Sequence, residues 1–109
     1  MSASKIIIAD DDRLANVHPG DILREDFLIG SEIPFDEVAE KTGIAIDQLR
    51  NIVSGTAAVS ADFDLRLGTW FGMSRGYFLR LQNAYDLEEA ERAAGTEIER
   101  IEPRIQHAA

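Results

Sequence analysis

Residues 34–55 read PFDEVAEKTGIAIDQLRNIVSG, and this stretch decides the fold. Its first part, from about Pro34 to Lys41, predicts a short helix, since proline suits the first helical turn. Gly43 predicts a tight reversal of the chain, because glycine adopts left-handed backbone conformations without strain. A second helix is expected to follow from about Ile46 to Val53. Two short helices joined by a glycine-bearing turn are typical of a helix-turn-helix, whose second helix can lie in the major groove of DNA.

The second of these helices has two distinct faces. Its apolar residues recur at i, i+3 and i+4 and predict a buried side: Leu49, Ile52 and Val53. The opposite side carries polar residues: Asp47, Gln48, Arg50 and Asn51. Glutamine and asparagine can pair with adenine through two hydrogen bonds, and arginine can pair with guanine or phosphate. The alternative for Gln48 and Asn51 is an ordinary solvated helix face.

Three neighbouring residues complete the candidate DNA-binding set. Ile46 can touch a thymine methyl group. Ser54 and Thr56, which follow the second helix, can donate to phosphate, although neutral hydroxyls substitute weakly for cations. The full predicted set is Ile46, Asp47, Gln48, Arg50, Asn51, Ser54 and Thr56.

Helices are also expected on both sides of this unit. The first is predicted to begin at Pro19 and to stop near Gly30, with an apolar stripe at Ile22, Leu23, Phe27 and Leu28. A fourth is predicted after Ser60 as N-cap, with its stripe at Phe63, Leu67, Trp70 and Phe71 and its end at Gly72. A fifth is predicted after Ser74 as N-cap, ending at about Ala94.

The fold class is therefore predicted to be all-α, with five short helices in one domain. We expect a short N-terminal extension over residues 1–16, the helix-turn-helix domain over residues 17–94, and a flexible tail over residues 95–109. Val38 and Ala39 of the second helix are expected in the core. The aromatic cluster Trp70, Phe71 and Phe78, with Leu81, is interpreted as core, and a dimer seam is the alternative for some of it.

Charge and composition limit the possible functions. Eleven basic residues against twenty acidic ones give a net charge of −9, which opposes non-specific binding to nucleic acid and suits a basic protein partner. Cysteine is absent, and the only histidines are His18 and His107, so no disulfide framework is possible and neither a metal site nor a cofactor is expected. Asp10, Asp11 and Asp12 are interpreted as solvated loop charge rather than as ligands of Mg²⁺.

An enzyme is not expected. His18 has no accompanying nucleophile or carboxylate at catalytic spacing, so it is interpreted as fixing the start of the first helix. Arg66 and Arg80 are interpreted as structural ion-pair formers. No apolar run approaches the ~20 residues needed to span a bilayer, and no signal-peptide core is evident, so a cytoplasmic protein without membrane contact is expected.

Specific motifs give the chain a family resemblance. Residues 18–28 read HPGDILREDFL, and residues 81–87 read LQNAYDL. Together with Gly43-Ile44 and Ser60-Ala61-Asp62, these stretches resemble HigA-type antitoxins of the lambda-repressor-like (XRE) helix-turn-helix superfamily. The resemblance covers about residues 17–92. It implies a five-helix domain that dimerises, binds a palindromic operator, represses its own operon and neutralises a small basic toxin.

The sequence also departs from the family pattern. Members usually carry Ser-Gln at the start of the second helix, where this chain has Pro34-Phe35. They usually begin the recognition helix with Val-Ser-Arg, where this chain has residues 44–46, and a later arginine is replaced by Asn51. Fewer cationic side chains are therefore available to contact phosphate, which lowers the expected affinity and salt dependence.

Two functional hypotheses follow. The first is a sequence-specific DNA-binding transcriptional regulator, the antitoxin of a toxin–antitoxin pair. The second is a protein-interaction module whose DNA-reading helix is degenerate and which neutralises a basic toxin without strong DNA binding. An electrophoretic gel shift with the upstream DNA separates the two.

Overall fold

The computed structural model describes residues 15–29 and 32–105. This part of the chain contains helices and no strand, which confirms the all-α prediction. The helices are α1 Pro19–Ile22, which continues as a π-helical stretch Leu23–Ile29, α2 Phe35–Thr42, α3 Ile46–Val53, α4 Ala61–Phe71 and α5 Tyr77–Glu99. Most of the predicted N-terminal extension, the acidic triple at residues 10–12, Gly30 and His107 lie outside the described residues.

One hydrophobic core joins all of these elements. Helix α1 packs against α3 and α5, α2 packs against α3 and α4, and α4 packs against α5. The buried apolar side chains are Leu23, Leu28, Val38, Ile44, Leu49, Ile52, Val53, Val59, Phe63, Leu67 and Phe78. The predicted burial of Val38 and of the apolar side of α3 is thus confirmed, whereas Ala39 is half-buried. Trp70, Phe71 and Leu81 are half-buried and pack against the edge of this core.

The start of α1 is fixed by the motif His18-Pro19-Gly20. The Nδ1 atom of His18 accepts a hydrogen bond of 2.9 Å from the Gly20 amide, and Pro19 occupies the first helical turn. This confirms the structural role predicted for His18. The imidazole also makes an edge-on contact with the ring of Tyr85 in α5, with 4.8 Å between ring centroids. One side chain therefore caps α1 and joins it to α5.

Gly20 allows α1 to approach the end of α3 very closely. A Cβ atom at this position would collide with the carbonyl oxygen of Ile52 and would lie 2.8 Å from that of Val53. Both carbonyl groups belong to the last turn of α3. The missing side chain at Gly20 thus sets the position of α3 against the rest of the domain.

The predicted N-cap of α5 is wrong, and α2 begins one residue later than the predicted start at about Pro34. Pro34 is the N-cap of α2 rather than its first residue. Helix α5 begins at Tyr77 after Gly76, whose φ of 85° reverses the chain, and Ser74 does not cap it. The buried Asp64 of α4 serves instead, because its carboxylate accepts hydrogen bonds from the amides of Gly76, Phe78 and Leu79 at 2.7–3.1 Å.

Helix α5 continues beyond its predicted end near Ala94. The backbone departs from helical geometry at Ala94, with φ −135° and ψ 17°, and the helix then resumes to Glu99. Gly95 does not take the left-handed conformation found at Gly43 and Gly72, which follow the ends of α2 and α4. Without that reversal, the glycine does not terminate the helix.

Candidate nucleic-acid interface

The turn between α2 and α3 is held by a set of short polar contacts. Gly43 takes a φ of 78° and reverses the chain. The Thr42 hydroxyl donates to the Val38 carbonyl at 2.6 Å and accepts from the Ile44 amide at 3.2 Å. From α4, the Arg66 guanidinium donates to the Thr42 carbonyl at 3.0 Å. These contacts define the angle between the two helices of the predicted helix-turn-helix.

Arg66 has the structural role that the sequence predicted. Its guanidinium forms an ion pair with Asp62 one turn earlier in α4, with an Nε–Oδ2 distance of 2.9 Å. The ion pair predicted for Arg80 is wrong within the described residues, since its guanidinium donates instead to the Arg75 carbonyl and the Ser74 hydroxyl, both at 3.3 Å. Both arginines therefore support local backbone structure.

The outward side of α3 holds most of the predicted contact residues. Asp47, Arg50 and Asn51 are exposed, and Ile46 and Gln48 are half-buried at its two edges. At about 100° per residue, Asp47 lies about 160° around the helix from the buried Leu49. Within the described part of the chain, the side chains of Asp47, Gln48, Arg50 and Asn51 make no hydrogen bond or ion pair. The structure thus leaves their polar groups free for an external ligand.

Helix α3 carries one acidic and one basic side chain. Its two charged residues, Asp47 and Arg50, give the helix a net charge of zero. The N-cap Ala45 supplies no side-chain acceptor, so the amides of the first turn of α3 have no side-chain cap. Such amides carry partial positive charge and attract anions. The first turn therefore combines backbone groups that favour phosphate with a carboxylate that opposes it.

The turn after α3 uses the hydroxyls of Ser54 and Thr56 internally. The two oxygens lie 3.0 Å apart, and each hydroxyl is 3.1 Å from the Asn51 carbonyl. The amides of Thr56 and Ala57 donate to the same carbonyl at 2.8 and 3.1 Å. Both hydroxyl groups are exposed as well. They hold the end of α3 in place while they face solvent.

Gln82 supports the loop after α3, a role that the sequence reasoning missed. Its side chain is buried, its Oε1 accepts from the Val59 amide at 2.8 Å, and its Nε2 donates to Asp86 at 2.9 Å. A signal was present, because Gln82 falls between Phe78 and Tyr85 at helical spacing on an otherwise apolar side. A polar residue at such a position indicates a buried hydrogen bond.

The sequence holds no comparable signal for two other residues that support the fold, Asp64 and Gly20. Asp64 lies one turn before Gly68 on the buried side of α4, and no local pattern shows which distant amides its carboxylate accepts from. Gly20 is in the first turn of α1, and its close approach to α3 is a tertiary contact.

In the described ranges, no three His, Cys, Asp or Glu side chains are grouped to hold a metal ion. No helix there is long and apolar enough to cross a membrane.

Comparison with protein-family models found no match. Relatives of the chain were found among curated proteins. The chain is 33% identical over 85 residues to virulence-associated protein I of Dichelobacter nodosus, covering 78% of this chain and 79% of that protein.

Solved structures share the fold over nearly all of their length. The antitoxin HigA of Pseudomonas aeruginosa, solved with the higBA promoter, has a TM-score of 0.76 and 34% identity, covering 84% of this chain and 100% of that one. The antitoxin GraA in complex with its operator has a TM-score of 0.78 and 34% identity, covering 86% and 95%. Both of these antitoxins were thus solved together with DNA.

Proposed function

The chain belongs to the HigA-type antitoxin family of lambda-repressor-like helix-turn-helix proteins, and we propose that it represses its own operon as the antitoxin of a toxin–antitoxin pair. It is a sequence-specific DNA-binding protein rather than an enzyme. The observation that carries the proposal is the outward side of α3. There, polar side chains without internal partners are presented on a helix-turn-helix whose solved relatives bind operators.

Six of the seven predicted contact residues, all except Asp47, have a direct role in this proposal. Gln48 and Asn51 pair with adenine, and Arg50 pairs with guanine or a phosphate, while Ile46 touches a thymine methyl group. Ser54 and Thr56 donate to the phosphate next to the end of α3 by giving up their hydrogen bonds to the Asn51 carbonyl. Each good two-point base contact contributes roughly 1–3 kcal/mol of discrimination. With a single cation on α3, the base contacts supply a large share of the affinity.

The operator is read by two copies of the chain. In a homodimer, the two α3 helices enter successive major grooves about 34 Å apart, which requires a palindromic operator. The acidic surface outside α3 keeps affinity for random DNA low, because it repels phosphates. Because the proposed target is the operator of its own operon, we propose that the protein acts in the cytoplasm.

A small basic toxin is the second proposed partner. The net charge of −9 favours association with a cationic protein and speeds the encounter more than it raises the final affinity. Binding of the toxin and of DNA are compatible functions. The alternative of an interaction module without strong DNA binding is not favoured, since the similar structures include operator complexes.

A gel-shift titration with the DNA upstream of the gene tests the proposal. Wild-type protein is expected to shift this DNA in a sequence-dependent and salt-sensitive way at two salt concentrations. Arg50→Ala and Asn51→Ala are expected to weaken binding by about tenfold each. Arg100→Ala is the control, because it removes one positive charge at the end of α5. The proposal fails if wild-type protein gives no specific shift.

A further inference from the structure

The carboxylate of Asp47 lies in the first turn of α3, where it interacts favourably with the helix dipole and needs no side-chain partner. Asp47 is exposed and occupies the second residue of α3, with Gln48 and Arg50 on either side of it. It has no ion pair or hydrogen bond inside the described part of the chain, although Arg50 lies one turn away. A free carboxylate thus occupies the centre of the side that is presented to DNA.

This position has a direct electrostatic consequence. The uncapped amides in the first turn of α3 would attract a DNA phosphate, and Asp47 places a full negative charge beside them. Placed near the phosphate backbone, the carboxylate would be repelled. It is accommodated only where a base edge presents an N–H donor. In the major groove, the amino group of cytosine is the donor that Asp and Glu side chains pair with.

We infer that Asp47 determines operator specificity, accepting a hydrogen bond from a cytosine amino group in each half of the operator and disfavouring DNA that lacks it. The inference rests on the proposed function and deepens it. The carboxylate gains a partner on the correct sequence and only repulsion on other sequences. One residue thereby raises discrimination while it lowers affinity for random DNA.

Asp36 offers a matched control within the same motif. It is the second residue of α2, as Asp47 is of α3, and both side chains are exposed. Asp36→Asn removes the same charge at the same helical position, but on α2, the helix that precedes α3. A general electrostatic effect would appear in both variants, whereas base reading would change only at Asp47.

The experiment is selection of bound duplexes from a library of the upstream DNA with both operator halves randomised, followed by sequencing. Wild-type protein is expected to enrich cytosine about fivefold at one position of each half. Asp47→Ala is expected to abolish this preference, and Asp47→Asn to shift it to adenine, which asparagine pairs with. Both variants are expected to bind random duplex about threefold to tenfold more tightly. Asp36→Asn is expected to leave the base preferences unchanged.

The outcomes distinguish a failure of the role inferred for Asp47 from a failure of the proposed function. Unaltered base preferences in Asp47→Ala, with DNA binding retained, would overturn the inference and leave the proposed function intact. The same change of preference in Asp36→Asn would overturn it too. Wild-type protein that selects no sequence would overturn both. A thermal melt monitored by circular dichroism confirms that each variant is folded.

Discussion

The polar groups that hold the fold together and those on the outward side of α3 differ in their hydrogen bonding. Within the fold, His18, Asp64 and Gln82 each accept hydrogen bonds from backbone amides at 2.7–3.1 Å. In the described part of the chain, every buried side-chain nitrogen or oxygen has a hydrogen-bond partner. On the outward side, Asp47, Gln48, Arg50 and Asn51 have none within that same part.

This difference separates stability from recognition. A buried polar group that loses its partner destabilises the fold, because its desolvation is no longer compensated. An exposed group without an internal partner contributes little to stability and can exchange water for a base edge. Substitutions in the first region are therefore expected to act on unfolding, and those in the second on DNA binding. Four substitution experiments test this separation.

Asp64→Ala is expected to have the largest effect on stability, lowering the free energy of unfolding by about 4 kcal/mol. It leaves the amides of Gly76, Phe78 and Leu79 without their acceptor at the start of α5. Chemical denaturation measures the change. Asp62→Ala, which removes an exposed carboxylate paired with Arg66, is the control and is expected to cost less than about 1 kcal/mol. Equal losses in the two variants would contradict the capping role of Asp64.

Gly20→Ala is expected to cost about 3 kcal/mol, because the new methyl group meets the carbonyl oxygens of Ile52 and Val53. DNA affinity should fall with it, since α3 must move. Gly95→Ala is the control: its nearest atom would be Glu91 Cγ at 3.7 Å, and alanine favours helix by about 1 kcal/mol. Denaturation curves of both variants give the comparison. A neutral Gly20→Ala would show that α1 does not set the position of α3.

Gln82→Leu is expected to cost about 2 kcal/mol, since the buried Val59 amide loses its acceptor and Asp86 loses a donor. The volume of the side chain is nearly preserved, so the change isolates the hydrogen bonds. Asn83→Leu, at the exposed neighbouring position, is the control. Hydrogen exchange at the Val59 amide measures the local effect. Unchanged protection of this amide would exclude the proposed support of the loop.

The two regions also differ in how far the sequence could predict them. Local patterns were sufficient for α3, whose bounds Ile46–Val53 and buried Leu49 follow from apolar spacing and the preceding Gly43. The N-cap Ser60 could be predicted because the side chain of an N-cap accepts a hydrogen bond from the first turn of its own helix. Here the Ser60 hydroxyl accepts from the Phe63 amide at 3.1 Å. These features depend on neighbours in the chain.

The supports from distant residues could not be predicted in this way. Asp64 caps a helix that begins thirteen residues later, and Gln82 holds an amide twenty-three residues earlier. Ser74 fits the local pattern of an N-cap for α5, but the carboxylate of Asp64, which is distant in sequence, accepts the hydrogen bonds there instead. The polar residues on the outward side of α3 could be identified from the helical spacing. Their pairing with particular bases stays a prediction from the hydrogen-bonding groups of the side chains.

Arg50→Ala and Asn51→Ala are expected to have the smallest effect on stability, less than about 0.5 kcal/mol in either direction. Neither side chain has an internal partner in the described residues, and alanine has a higher helix propensity than asparagine. The same variants are expected to weaken operator binding about tenfold, which corresponds to about 1.4 kcal/mol. Denaturation and gel shift on one preparation measure both quantities. A variant that lost stability in proportion to DNA affinity would show that the outward side of α3 serves the fold, and the separation of the two regions would then fail.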